Sequence, residues 1–184
     1  MRKLVMAINI SLDGYADHTV AIADDELHEF FSELLDETGI ELFGRVSYQM
    51  MASYWPHAHE DPAASQSILD FADKFNAIPK IVFSGTLEKA EWSNTTLVRS
   101  DALEYVARLK ETERKDLYVG GITLASSLMR HGLIDEYRLL VHPVVAGKGR
   151  RLFEDVHERF KLSLVSSKTF KSGVVVLHYV SDRR

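Results

Sequence analysis

The chain has 184 residues, enough for one domain that removes roughly 70% of its unfolded surface from water. Hydrophobic residues make up 46%, charged residues 27%, and the net charge is −5; this excludes a largely disordered chain and argues against a nucleic-acid or anionic-membrane partner, since either wants a basic face. No cysteine is present, which excludes disulfides, thiolate zinc sites, iron–sulfur clusters and cysteine nucleophiles.

In chain order, Lys3 to Ile10 is an apolar run suited to a buried strand. The run breaks at Asn9 and meets Ser11-Leu12-Asp13-Gly14 with no cleavage-site pattern, and no later stretch approaches the ~18 apolar residues of a membrane span. A soluble, cytoplasmic chain is therefore expected. Ser11 to Ala23 reads as a loop carrying Asp13-Gly14 and Asp17. Asp24 reads as a helix N-cap, with Leu27, Phe30, Phe31, Leu34 and Leu35 at helical spacing and Gly39 as the stop. Ile40 to Phe43 is a short strand broken by Gly44-Arg45, and Val46 to Tyr54 a helix stopped by Pro56. After a polar loop, Ser65 caps a helix with Ile68, Leu69, Ala72 and Phe75 on one face.

Lys80 to Phe83 and Thr96 to Val98 are strands. Asp101 caps a helix with Glu104 at the capping-box position. Leu117 to Val119 is a strand, Gly120-Gly121 opens a helix to about His131, and Gly132 is its C-cap. Glu136 to Val145, Leu162 to Lys168 and Val174 to Val180 complete the strands, the last two forming a hairpin through Lys171-Ser172-Gly173. The pattern predicts a single α/β domain over 1–184: about eight strands, mostly parallel, with an antiparallel C-terminal edge and helices on both faces.

Three strand ends carry the candidate chemistry. In Leu117-Tyr118-Val119-Gly120-Gly121-Ile122-Thr123-Leu124, two glycines admit close backbone approach, and the helix start offers N–H groups to an anion such as a pyrophosphate. In Phe43-Gly44-Arg45-Val46-Ser47, an Arg sits against the helix dipole, where an anionic partner such as a ribose 2′-phosphate suits its fork. Ser84-Gly85-Thr86 ends a third strand in small hydroxyl residues that suit the adenosine side of a cofactor. Each is equally readable as a plain turn or, for Arg45, as a surface side chain. Together they suit a phosphate-rich ligand at the carboxyl ends of strands. No G-x-G-x-x-G is present, and Gly147-Lys148-Gly149 reads as a tight turn, with Arg150-Arg151 nearby for a substrate phosphate.

Ser11-Leu12-Asp13-Gly14-Tyr15, Gly44-Arg45 with Tyr48, Tyr54-Trp55-Pro56, Gly120-Gly121, Gly132-Leu133-Ile134-Asp135-Glu136, Pro143-Val144 and Gly147-Lys148-Gly149 with Leu152-Phe153 resemble, in order, the dihydrofolate-reductase-like superfamily. More narrowly they resemble the C-terminal reductase domain of the bifunctional riboflavin-biosynthesis deaminase/reductase (RibD). The resemblance implies an eight-stranded sheet, NADPH as cofactor, hydride delivery to a pyrimidine-ribose or pteridine-like substrate, and a homodimer. It implies that Gly44, Arg45 and Ser47 hold the 2′-phosphate, that Ser84 lines the adenine, and that Gly120, Gly121, Ile122, Thr123 and Leu124 hold the pyrophosphate. It also implies that the loop at Asn9 and Ser11 to Gly14 closes over the nicotinamide.

The chain departs from true dihydrofolate reductases in its first loop, Asp13-Gly14-Tyr15-Ala16-Asp17, and from the riboflavin enzyme in lacking the zinc-binding deaminase domain. Glu26 keeps the folate enzymes' spacing to Leu27 and Phe30; with Asp13 it forms the candidate catalytic pair, and His28 is a further proton source. The acids Asp24, Asp25 and Glu26 are also ordinary residues for a helix N-terminus. His57-x-His59-Glu60-Asp61 reads as a solvated loop, not a metal cluster. Two rival functions stand beside the riboflavin-type reductase: a dihydrofolate reductase proper, and a non-catalytic NADP(H)-binding or regulatory module.

Overall fold

A computed structural model of the chain describes residues 1–16, 18–112 and 114–182. The strands are β1 (Leu4–Ser11), β2 (Thr38–Gly44), β3 (Lys80–Phe83), β4 (Thr95–Val98), β5 (Asp116–Val119), β6 (Glu136–His142), β7 (Leu162–Thr169) and β8 (Val175–Ser181). The helices are α1 (Asp25–Glu37), α2 (Arg45–Ala52), α3 (Gln66–Ala77), α4 (Ala102–Lys110) and α5 (Ile122–Arg130). The strands form an eight-stranded sheet in the order β4-β3-β2-β5-β1-β6-β8-β7. β1 and β6, β2 and β3, and β3 and β4 run parallel, while β8 pairs antiparallel with β6 and β7. The expected α/β sheet with an antiparallel C-terminal edge is thus observed. The predicted Asp17 lies outside the described residues.

The chain groups into two compact units: residues 1–2 with 23–118, and residues 3–22 with 119–184. In the first unit, α1 buries Leu27, Leu34 and Leu35, and α3 buries Phe71, Ala72 and Phe75, as their helical spacing requires. Leu35, Phe43, Tyr48, Phe71, Phe75, Val82 and Trp92 form one buried cluster. Each such side chain contributes about 1.5–3 kcal/mol by leaving water. β2 and β3 are in register from Glu41↔Lys80 to Gly44↔Phe83, so their carboxyl ends finish side by side.

Three predicted stops fall elsewhere. Gly39 does not end α1; the helix ends at Glu37 and Gly39 lies inside β2. A Cβ there would sit 2.8 Å from the Arg2 guanidinium and 2.9 Å from the Lys115 carbonyl oxygen, so this glycine makes room for packing and does not cap the helix. Pro56 does not stop a helix either: α2 ends at Ala52, and Pro56 lies in the first turn of a 3-10 helix, Trp55–Glu60, where its missing N–H costs nothing. β6 ends at His142, three residues early, because Pro143 has no N–H with which to continue the ladder.

In the second unit, β1 and β6 pair from Val5↔Glu136 to Ser11↔His142. The β7–β8 hairpin turns through Gly173 at φ +85°. Glu136, nearly buried, accepts from Lys3 Nζ at 2.7 Å, Arg138 at 3.1 Å and His178 Nε2 at 2.9 Å, so its charge is matched within the same unit.

Candidate functional site

Helix N-termini expose N–H groups that need acceptors. At α1 the Asp24 carboxylate accepts from Leu27 N–H at 2.9 Å. At α4 the Asp101 carboxylate accepts from Leu103 N–H at 2.7 Å and Glu104 N–H at 3.3 Å. The capping box is only half made, because the Glu104 carboxylate turns to Arg108. At α2 and α5 the N-caps are Gly44 and Gly121, and neither helix has a side-chain cap. Both follow a strand directly, and both lie where the sequence placed a phosphate-bearing ligand.

In the first unit, Arg45 occupies the first position of α2 and is exposed. Its guanidinium donates to the neutral Gln49 side chain at 3.0 Å, and no carboxylate pairs with it among the described residues. Arg45, Gln49, Thr86 and Leu87 belong to the lining of one groove of about 860 Å³, which joins the segments after β2 and β3. Ser47 lies in the first turn of α2 and is half-buried. Ser84 shapes its turn by accepting from Thr86 N–H at 3.2 Å and Leu87 N–H at 2.9 Å, which leaves its own O–H to donate. Tyr48 belongs to the core: it is 4% exposed, and its hydroxyl accepts from Trp92 N–H at 3.0 Å.

The three acids at the start of α1 divide their work. Asp24 caps the helix, and Asp25 accepts from Ser65 at 3.2 Å and Ser67 at 2.5 Å. Glu26 takes neither part and is half-buried in the first turn. His28 stands edge-on to Trp55 at 6.4 Å, with a buried Nδ1 that has no hydrogen-bond partner. Burial lowers its pKa, which makes it a poor reservoir of protons near neutrality.

In the second unit, Gly121 adopts φ +88°, a conformation that side-chain-bearing residues rarely take, and α5 follows with Ile122, Thr123 and Leu124 in its first turn. Gly120 precedes it, just after β5 ends at Val119. The loop after β1 is tied closely to the loop after β6. Leu12 N–H donates to the Val144 carbonyl at 2.8 Å, Ala16 N–H to that of Arg150 at 2.9 Å, and Leu152 N–H to that of Gly14 at 3.0 Å. Asp13 locks this seam, accepting from the Ser11 hydroxyl at 2.6 Å, Ala146 N–H at 3.0 Å and Gly147 N–H at 2.8 Å. These donors, the Ser11 hydroxyl first, lower its pKa to about 2. Through these bonds Asp13 holds the two loops together.

Sequence reasoning missed His142, which is fully buried at the end of β6. Ile22 N–H donates to its Nδ1 at 3.0 Å, so Nε2 carries the hydrogen and donates to the Asn9 side-chain oxygen at 3.0 Å. This bond pins both ends of the segment 9–22. The only sequence signal was a histidine closing an apolar strand. His57 and His59 bond exposed Glu60 and Asp73, and no group of three or more His, Asp or Glu able to hold a metal occurs among the described residues. No helix there is long and apolar enough to cross a membrane.

The RibD C-terminal domain family matches residues 2–176. The chain belongs to that family. The uncharacterized protein YyaP of Bacillus subtilis (strain 168) is 32% identical over 184 residues, covering 97% of this chain and 94% of its own. The putative riboflavin biosynthesis protein from Shewanella sp. PV-4 superposes with a TM-score of 0.74 at 20% identity, over 98% of this chain and 99% of that one. The dihydrofolate reductase of Enterococcus faecalis, solved with NADP(H), superposes with a TM-score of 0.63 at 13% identity, over 98% and 96%. The fold is therefore dihydrofolate-reductase-like, and the domain is that of a reductase-like family.

Proposed function

We propose that this RibD C-terminal domain protein is an NADPH-dependent reductase acting on a pyrimidine-ribose or pteridine-like substrate, of the class of 5-amino-6-(5-phosphoribosylamino)uracil, and working as a cytoplasmic homodimer. One observation carries the reading: two strand-to-helix junctions, at α2 and α5, are N-capped by glycine with no side chain on their first N–H groups. An oxyanion fits such an end, by hydrogen bonding and by the helix dipole. Arg45, which has no carboxylate partner among the described residues, fits a 2′-phosphate and provides the preference for NADPH over NADH. Gly120, Gly121, Ile122, Thr123 and Leu124 would hold the pyrophosphate. The nicotinamide, when bound, supplies the hydride.

The chain's own residues then bind, orient and shield. Asp13 keeps the loop after β1 fixed to the loop after β6, and His142 fixes the base of that loop through Asn9. Glu26, half-buried in the first turn of α1, would bind a substrate ring.

Thermal unfolding with NADPH, with NADH and without ligand tests the proposal. A ligand at about 100 times its Kd stabilises by roughly 2.7 kcal/mol. A clear midpoint shift with NADPH, and a much smaller one with NADH, is expected. No shift with either at millimolar concentration overturns the reading. Binding without NADPH oxidation across carbonyls, imines and pterins would instead mark a nucleotide-binding module. Turnover of dihydrofolate lost in Glu26→Gln would mark a dihydrofolate reductase.

A further inference from the structure

Arg150 and Arg151 follow the Gly147–Gly149 turn, where two free cations would suit a phosphate. The structure gives them other work. Arg151 lies over the Tyr15 ring, 5.2 Å from its centroid. Arg150 is neutralised twice, by Glu154 at 2.9 Å and Asp155 at 2.5 Å. Its remaining terminal nitrogen, Nη1, donates to the Thr123 hydroxyl oxygen at 2.7 Å. Thr123 is the second residue of α5, next to the positive-φ Gly121.

We infer that Arg150 is a positioning residue: it fixes the Thr123 hydroxyl as an outward donor to the pyrophosphate of a dinucleotide at the start of α5. This rests on the NADPH reading above and assigns within it a residue that touches no ligand. The physical case has three parts. A threonine side chain at an exposed helix start can take more than one χ1 rotamer, and its hydroxyl hydrogen rotates to suit its surroundings. A guanidinium that donates to the oxygen removes that choice, since the oxygen must face the arginine and the hydroxyl hydrogen must go elsewhere. The paired carboxylates keep Arg150 from acting as a bare cation and hold its fork in one orientation.

The anchor of Arg150 is itself secured. The Glu154 carboxylate also accepts from Arg151 N–H at 3.1 Å, and the Arg150 carbonyl accepts from Ala16 N–H at 2.9 Å in the seam that Asp13 locks. One bonded path therefore leads from the loop after β1 to the first turn of α5, entirely within the second unit.

Calorimetric titration of NADPH and of 2′-AMP into the wild type, Arg150→Met, Thr123→Val and the double variant tests this. The 2′-AMP probe carries the 2′-phosphate and lacks the pyrophosphate. Arg150→Met and Thr123→Val are each expected to weaken NADPH by about tenfold, the size of one hydrogen bond to a charged group. The double variant is expected to be no weaker than Thr123→Val alone, and 2′-AMP affinity to stay unchanged in all four proteins. Multiplying losses in the double variant, a parallel fall in 2′-AMP affinity, or full NADPH affinity in Arg150→Met would each overturn the inference while leaving NADPH binding intact. Thr123→Val leaves the Arg150 ion pairs in place, so it reads the hydroxyl even if Arg150→Met disturbs its loop. A wild type that binds no NADPH would defeat the underlying reading, and this inference with it.

Discussion

The N-termini of α1 and α4 differ from those of α2 and α5 in one respect that decides what each can do. Asp24 and Asp101 turn their carboxylates onto the first N–H groups of their own helices. Gly44 and Gly121 have no side chain to turn, so those groups stay open. An aspartate cap adds about 1 kcal/mol to the fold and closes the helix end to anions. A glycine cap gives up only about a few tenths of a kcal/mol relative to it and leaves an end that an oxyanion can complete. The loop after β1 extends the comparison, because Asp13 closes the Ala146 and Gly147 amides as Asp24 closes α1.

The largest expected effect comes from breaking an open end. Gly121→Ala places a Cβ at φ +88°, and a destabilisation of about 1–2 kcal/mol with loss of NADPH binding is expected in thermal unfolding with and without nucleotide. Unchanged NADPH affinity would remove α5 from the site. Breaking a closed end should act on stability alone. Asp24→Ala and Asp101→Ala are each expected to cost about 1 kcal/mol in urea unfolding and to leave the shift given by NADPH untouched.

Arg45→Ala sharpens the contrast further. The side chain is exposed and makes no ion pair among the described residues, so stability should change by less than about 0.5 kcal/mol while the preference for NADPH over NADH disappears. The smallest effect belongs to Asp13→Asn; it is present at neutral pH and is lost in acid. Asp13 has a folded pKa of about 2 against an ordinary 3.8, so between those values the unfolded chain binds more protons. Its contribution is complete above the ordinary value and fades as pH falls toward 2. The gap in thermal midpoint between wild type and Asp13→Asn should therefore narrow from pH 5 to pH 2. A constant gap would show that the carboxylate does not hold the loops.

Much of the fold was legible because its signals are local. Helical spacing at Leu27, Leu34 and Leu35 marked α1, and the apolar run at Lys80–Phe83 marked β3. One misplaced stop has a tertiary cause. Gly39 was read as a helix terminator when its role is to admit Arg2 and Lys115, which are distant in sequence. The buried Glu41 and Lys80 gave no signal either. Glu41 lies in the middle of β2 and Lys80 at the start of β3, and the two pair in register. Burial raises the Glu41 carboxyl well above its ordinary value and lowers the Lys80 ammonium to about 8, and no pattern of neighbouring residues encodes that.

By itself, the sequence determined the residues that could meet a phosphate: Gly44, Arg45 and Ser47, Ser84, and Gly120 to Leu124. Each group lies within a few positions of a strand end, and nearest-neighbour chemistry suffices to find it. Only the tertiary structure decided what the charged and polar side chains do. Asp13 became a clasp because its carboxylate meets amides more than 130 positions away. Arg150 became a partner of Thr123, not a free cation, because two carboxylates and a distant hydroxyl converge on it. Hydrogen bonds act over about 3 Å, and the chain separation of their partners leaves no trace in local sequence.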